Sequence, residues 1–219
     1  AAYGMIPEEK REHLHYQVGS LLHASASDEE LDEQIFEIVN HLNIGRVLIR
    51  DAGVRRCLAE LNLRAGLKAK TSTAYGSAHG YFSQGTALLP PDPWISDYEL
   101  AFDLHRERSE CAYLCGRYEE AEAGLDLLME KAHSKREQGV IYNMRIIQYE
   151  NLSRFAEAAA FGRDGLSLFD ITFPETENEK LEQVDSEMRA ILNQIAGRQI
   201  AELVNLPVLQ DADVRICMK

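Results

Sequence analysis

Cysteine is scarce in this sequence. Four in 219 residues are too few for a disulfide framework, and a reducing compartment, the cytosol, is the expectation. Positive charge is in deficit as well, with 23 Lys and Arg against 36 Asp and Glu and a formal charge of −13. That field repels phosphate backbones, and short basic runs such as Arg55–Arg56 do not make a dense patch, so nucleic-acid binding is not expected. No apolar run is long enough to cross a membrane, and the first residues, AAYGMIPEEK, lack the basic start, apolar run and cleavage pattern of a secretory signal. A chain that opens without Met and breaks off in Ile-Cys-Met-Lys reads as an excerpt from something longer.

The motifs of chemistry are missing too. There is no GxSxG elbow for a serine nucleophile, no GxxxxGK[ST] or GxGxxG phosphate cradle and no HExxH. His13 and His15 are two apart on a helix and face different ways, while His41, His79, His105 and His133 are scattered singly. Cys111 and Cys115 share a helix face and could hold half a zinc site, but no second Cys or His pair matches them, so small, buried, unreactive thiols are expected. Gly162 and Gly165 lie inside a helix, where tight packing accounts for them. The expectation is a segment without catalysis, cofactor or metal. A small metal-dependent enzyme would need histidines and carboxylates to converge in the fold.

What the sequence does contain is hydrophobic residues at 45% and charged residues at 27%, ordinary values for a folded protein, and a phrase that fits a helical repeat. A tetratricopeptide unit is two antiparallel helices in about 34 residues, with small residues at the helix crossing and a closing proline. Starting a unit at Ala59 puts Ala65–Gly66 and Ala69 on the first helix, Ala78, Phe82 and Gly85 on the second, and Pro90 at the close. Small residues let the backbones approach, and Phe82 fills the gap beyond them. Gly116-Arg117-Tyr118-Glu119-Glu120-Ala121 marks the turn and second helix of a unit beginning at Phe102, and Ser153-Arg154-Phe155-Ala156-Glu157-Ala158 repeats the phrase in a unit beginning at Gly139.

Around these units the chain reads as helix throughout. Pro7 suits a first helical turn, with Glu8 and Glu9 at the positive end of the dipole, and Leu14, Val18, Leu21 and Leu22 recur at helical spacing. Ser27–Glu30 is a capping box before the stripe Leu31, Ile35, Ile38, Val39 and Leu42, and Gly45 stands where a left-handed C-terminal residue is wanted. Asp51 can cap the next helix. After Pro90 the run Pro-Asp-Pro-Trp cannot continue a helix, so Pro91–Trp94 reads as a connector, with Trp94 stapling two units; Ser96–Glu99 and Ser134–Glu137 read as further capping boxes. Thr176–Glu179 opens a helix that carries Leu181, Val184, Met188, Ile191, Leu192 and Ile195 on one face, and Gly197 ends it. A short segment, 199–204, leads to Leu206–Pro207, and Asp211 starts a last helix.

Stacked units expose the faces of their first helices as a groove, and Arg106, Glu110, Tyr113, Asn143 and Ile147 fall there. A mixed groove of this kind suits a peptide or a neighbouring domain. The Lys and Asn pattern of co-chaperone repeats that hold a C-terminal carboxylate is absent: Leu63, Leu67, Glu107, Val140 and Met144 occupy those places.

The phrases AAYGMIPEEKREHLHYQVGSLL, IFEIVNHLNIG, LAELNLRAGLKAKTSTAYGSA and GRYEEAEAGLDLL, in that order, resemble the helical-repeat region of very large bacterial signalling proteins. These are serine/threonine and histidine kinase hybrids in which the region follows an AAA-type ATPase module and precedes GAF-type sensor and histidine-kinase domains. The resemblance implies a regulatory segment that joins a nucleotide-dependent switch to sensing and phosphorelay domains, with protein or neighbouring domains of the same chain as partners. No catalytic position of that family lies in these residues, so none is carried over. MalT-type transcription regulators are a more distant resemblance, and imply an inducer pocket lined by aromatics such as Tyr113, Tyr142 and Tyr149. The expected architecture is an all-α superhelix of tetratricopeptide-like hairpins, with residues 1–50 an irregular lead-in after an absent ATPase module and 51–219 an array truncated at its C-terminus.

Overall fold

The computed structural model describes residues 7–197, 200–205 and 207–218; the opening phrase 1–6 and the expectations touching residues 199 and 206 lie outside them. Among the described residues the chain is all-α, without a strand. It divides into two compact units, Ala1–Lys131 and Ala132–Lys219, so residues 1–50 share a unit with the first two hairpins.

The first unit contains α1 (Glu8–Ser25), α2 (Asp28–Ile44), a 3-10 turn (Gly45–Leu48), α3 (Ala52–Thr71), α4 (Tyr75–Leu88), the short α5 (Pro93–Ser96), α6 (Tyr98–Leu114) and α7 (Tyr118–Lys131). α2 starts where the sequence says it should. The Ser27 side chain accepts from the Glu30 N–H, and the Glu30 carboxylate accepts from the Ser27 N–H at 2.9 Å. Asp51 caps α3 by accepting from the Val54 N–H at 2.9 Å. Gly45 is not left-handed, however: its φ is −83°, and the chain runs on into the 3-10 turn. Its lack of a side chain serves packing instead, since a Cβ there would lie 2.6 Å from Tyr16 Cβ on α1.

The core runs through Ile35, Ile38 and Val39 of α2, Leu58, Ala59 and Ala65 of α3, Ala78 and Phe82 of α4, and Leu104 of α6, all at most 1% exposed. Burying a ring such as Phe82 contributes on the order of 2–3 kcal/mol. It lies against Gly66, where a Cβ would sit 2.3 Å from the ring. The small residues expected at the α3–α4 crossing are therefore where the two helices meet.

The chain breaks after α4 as expected, though Pro93 opens the one-turn helix α5, because proline is tolerated at the first helical position. Two other expectations fail between α4 and α6. Ser96 forms no capping box: its hydroxyl bonds Asp92 O and Asp97 Oδ2, and the cap of α6 is Asp97 with no side-chain bond to the helix. Trp94 does not bridge hairpins through its ring contacts either, but packs on Tyr98 and His105 of the helix it leads into, at centroid distances of 6.1 and 5.3 Å.

The second unit contains α8 (Lys135–Asn151), α9 (Phe155–Ser167), α10 (Glu177–Ile195), a 3-10 segment (Ile200–Asn205) and α11 (Ala212–Cys217). Ser134 forms the predicted capping box, Thr176 forms one as well where the sequence indicated only a helix start, and Asp211 accepts from the N–H groups of Asp213 and Val214. Gly197 ends α10 with φ +81°. Of the two α9 glycines, Gly165 is a close contact, its Cβ position 3.0 Å from Tyr142 Cβ. Gly162 is not, because a Cβ there would touch only Ile146, at 3.8 Å.

The hairpins α3–α4, α6–α7 and α8–α9 share one turn. Thr73, Gly116 and Ser153 stand in the left-handed region at φ 57°, 75° and 58°. The next N–H in each case reaches back five residues: Ala74 to Ala69 O at 3.0 Å, Arg117 to Ala112 O at 2.8 Å, Arg154 to Tyr149 O at 2.8 Å. Each turn is thus a Schellman cap that satisfies orphan carbonyls and sends the second helix back along the first. These positions coincide with the repeat registers that begin at Ala59, Phe102 and Gly139.

Candidate functional site

The first helices of the last two hairpins carry the five groove residues. On α6, Arg106, Glu110 and Tyr113 lie one helical turn apart, and the first two are tied into a charged network. Arg106 pairs with Asp103 at 2.9 Å and with Glu107 at 3.0 Å. From α3, Lys70 reaches Glu107 and Glu110, each at 2.7 Å. Burial works against the Lys70 charge, but the hydrogen bonds to Glu107 and Glu110 outweigh it and hold its pKa above the ordinary value. Glu107, with a side chain 8% exposed, needs both cations; leaving it buried without them is the costly case. Tyr113 is half-buried, its ring centroid 5.6 Å from that of Tyr118 across the hairpin turn.

On α8, Asn143 and Ile147 are one turn apart but differently placed. Asn143 donates from Nδ2 to Ile216 O of α11 at 3.2 Å, so its part of the α8 face is covered by the chain's own last helix. Asp213, which Lys135 approaches to 3.3 Å and Arg136 also pairs with, holds α11 there. Ile147 is 53% exposed. Tyr142 and Tyr149 close on Phe161 of α9 at 6.3 and 5.1 Å; a cavity of about 110 Å³ beside Tyr142 is shared by Gly139, Ile146 and Ile216.

The buried His79 and the half-buried His15, His41 and His105 are engaged in packing and polar contacts. His79 lies between α4 and α7 with Nε2 3.0 Å from Glu120 and Nδ1 3.1 Å from the Arg117 guanidinium. Arg117 can only donate, so Nδ1 accepts and Nε2 carries the proton donated to Glu120. Arg108, bound to the same carboxylate at 2.6 Å, is the main cause of the lowered Glu120 pKa, and burial opposes it. His105, under Trp94, has its pKa driven down to about 4 by burial and then by Arg108. His15 and His41 meet at Nδ1 with 2.9 Å between them. No group of three or more His, Cys, Asp or Glu among the described residues could hold a metal ion. The cysteine pair is split: burial pushes the Cys111 thiol up to about 12, whereas Cys115 is exposed at the end of α6, not buried as expected. No helix of the described residues is long and apolar enough to cross a membrane.

The ion network around Lys70 escaped sequence reading because its partners are 37 and 40 residues away. The signal that could have found it was Glu107, a charge set between the core positions Leu104 and Cys111 of one helix.

The chain is similar to the hybrid signal transduction histidine kinase G of Dictyostelium discoideum, with 27% identity over 185 residues. The match covers 78% of this chain and spans 5% of the length of that kinase. No protein-family model matches the chain, and no solved structure matches it. The relationship supports a role connected with signalling, and the alternative of an inducer-binding MalT-type region finds no support in it.

Proposed function

We propose that this chain is a non-catalytic regulatory and protein-interaction segment of a multidomain sensor kinase, one that couples an ATPase module to downstream sensor and kinase domains. The observation that carries the reading is the similarity to a hybrid histidine kinase together with three helical hairpins closed by the same turn. Stacked helical hairpins supply surface and bring no chemistry of their own. The kinase relative is from Dictyostelium discoideum and not from a bacterium, so the bacterial part of the resemblance is not carried forward. The tetratricopeptide-like array, a cytoplasmic location, and partners that are proteins or neighbouring domains of the same chain belong to this proposal. The acidic balance, −13, supports protein over nucleic acid as the partner.

The reading is tested in the parent kinase with the exposed residue Ile147. Ile147→Asp is expected to change signal-dependent phosphorylation several-fold while nucleotide binding stays as it was. Loss of nucleotide binding in this variant, or no change in either property, contradicts the proposal.

A further inference from the structure

One strip of α8 already carries an occupant from its own chain. α11 lies along it with Asp213 beside Lys135 and Arg136 in the first turn of α8, Ile216 over Gly139, and the Ile216 carbonyl accepting from Asn143. Arg136, Gly139 and Asn143 stand at steps of three and four, so a single helix face makes all three contacts. The fit is specific at its centre. A Cβ at Gly139 would lie 2.7 Å from Ile216 Cγ2 and 3.1 Å from the Phe169 ring, so the missing side chain is the notch that admits the isoleucine. Glycine inside a helix costs stability, and a close approach from outside is what offsets that cost here.

The attachment of α11 is slight. It is six residues long, too short to persist as a helix by itself, and the cations that hold Asp213 are 48% and 58% exposed, so those ion pairs contribute little in water. Val214 and Met218 are exposed, and a cavity of about 110 Å³ stays open where Ile216 and Cys217 meet Tyr142. Few buried apolar contacts put a segment at the low end of local stability. The strip also continues past α11. Ile147, one turn beyond Asn143, remains 53% exposed with α11 in place. From Asp213 to Ile216 the contacts advance along α8 from Arg136 to Asn143, so a longer helix on the same path reaches Ile147.

We propose that α11 is a displaceable, self-supplied occupant of a helix-binding groove on α8. The partner it stands in for is a short helix with a carboxylate for Lys135 and Arg136, a branched apolar residue three positions on for the Gly139 notch, and a second apolar residue one turn further to cover Ile147. Such a helix repeats every contact that α11 makes and adds the burial of Ile147, which is what lets it displace the chain's own segment. This rests on the interaction-segment reading and deepens it by naming the chemistry of the partner.

The test uses the whole chain and an 18-residue synthetic helical peptide carrying Asp, Ile three residues on and Leu four beyond the Ile; a second peptide has Lys in place of the Asp. Fluorescence anisotropy is expected to show weak binding of the Asp peptide by the parent chain and binding tenfold or more tighter by D213K/I216S, in which α11 is released. In the released background Gly139→Leu, which fills the notch, and Ile147→Asp are each expected to weaken binding several-fold. K135E/R136E in that background is expected to reverse the preference toward the Lys peptide, a gain that stays readable if Gly139→Leu disturbs α8. Equal affinity before and after release, no binding after release, or a preference for the Asp peptide that K135E/R136E leaves unchanged overturns the inference. So does sedimentation showing self-association that Ile216→Ser abolishes, because α11 of a second copy would then be the occupant. None of these outcomes depends on phosphorylation, so this inference can fail while the kinase reading stands.

Discussion

Asn43 and Asn62 exchange two amide hydrogen bonds, each 2.9 Å, in the buried interface between α2 and α3. Asn62 is fully buried, and its second donor goes to Leu58 O at 2.8 Å. A reciprocal amide pair satisfies both side chains only in one register of the two helices, so it fixes how α2 sits on the first hairpin.

Removing one partner strands the other in the core. Asn62→Ala is expected to destabilise the first unit by about 1–3 kcal/mol, the cost of an unsatisfied buried polar group. Urea unfolding followed by circular dichroism checks this, and the double variant with both asparagines replaced by Leu is expected to recover much of the loss. Equal destabilisation by single and double variants would show that the pair has no special role.

Gly66 and Phe82 give the second prediction. A methyl at residue 66 would fall 2.3 Å from the ring, so Gly66→Ala is expected to cost about 2–3 kcal/mol by overpacking, despite the higher helix propensity of Ala. Shrinking the ring with Phe82→Leu in the same molecule is expected to restore part of it. A Gly66→Ala protein as stable as the parent means that α3 and α4 do not cross there.

The hairpin turns respond oppositely to substitution. Thr73 and Ser153 hold left-handed backbone that costs a side-chain-bearing residue about 1–2 kcal/mol, so Thr73→Gly and Ser153→Gly are expected to raise stability by about 1 kcal/mol each. Gly116→Ala is expected to lower it by a similar amount. Thermal melts of the three variants, read side by side, test whether the turns share one conformation.

His105 makes stability depend on pH. Its folded pKa, about 4, lies below the unfolded value near 6.5, so the unfolded chain binds the proton more readily. Its contribution is therefore complete above pH 6.5 and is lost as pH falls toward 4. Discounted for partial exposure, the loss is about 1–2 kcal/mol. Urea midpoints at pH 7 and 4.5 are expected to converge in His105→Gln compared with the parent; an unchanged difference assigns the pH dependence to other groups.

Local signals made most of the fold legible. Two of the three proposed capping boxes, the Asp51 cap and the small residues between Ala65 and Gly85 act over a few residues or within one hairpin, and the structure shows each in place. Ser96 failed because a capping box cannot be told from a one-turn helix opened by Pro93 without knowing where the chain must turn. Of the five groove residues, Ile147 is an open surface position, whereas Arg106 and Glu110 are committed to an ion network and Asn143 to α11. The partners of Glu110 and Asn143 are 40 and 73 residues away, beyond the reach of any spacing rule, whereas Arg106 pairs with Asp103 and Glu107 of its own helix. The α10 stripe was read correctly as one face, but periodicity says nothing about whether a face finds a partner.

The central claim is that this chain contributes recognition surface and no phosphoryl chemistry, and incubating the purified protein with magnesium and radiolabelled ATP tests it most directly. The account predicts no ADP above the buffer rate and no label on the protein. Turnover, or stoichiometric labelling, that disappears on replacing a single histidine or carboxylate of the chain would contradict it.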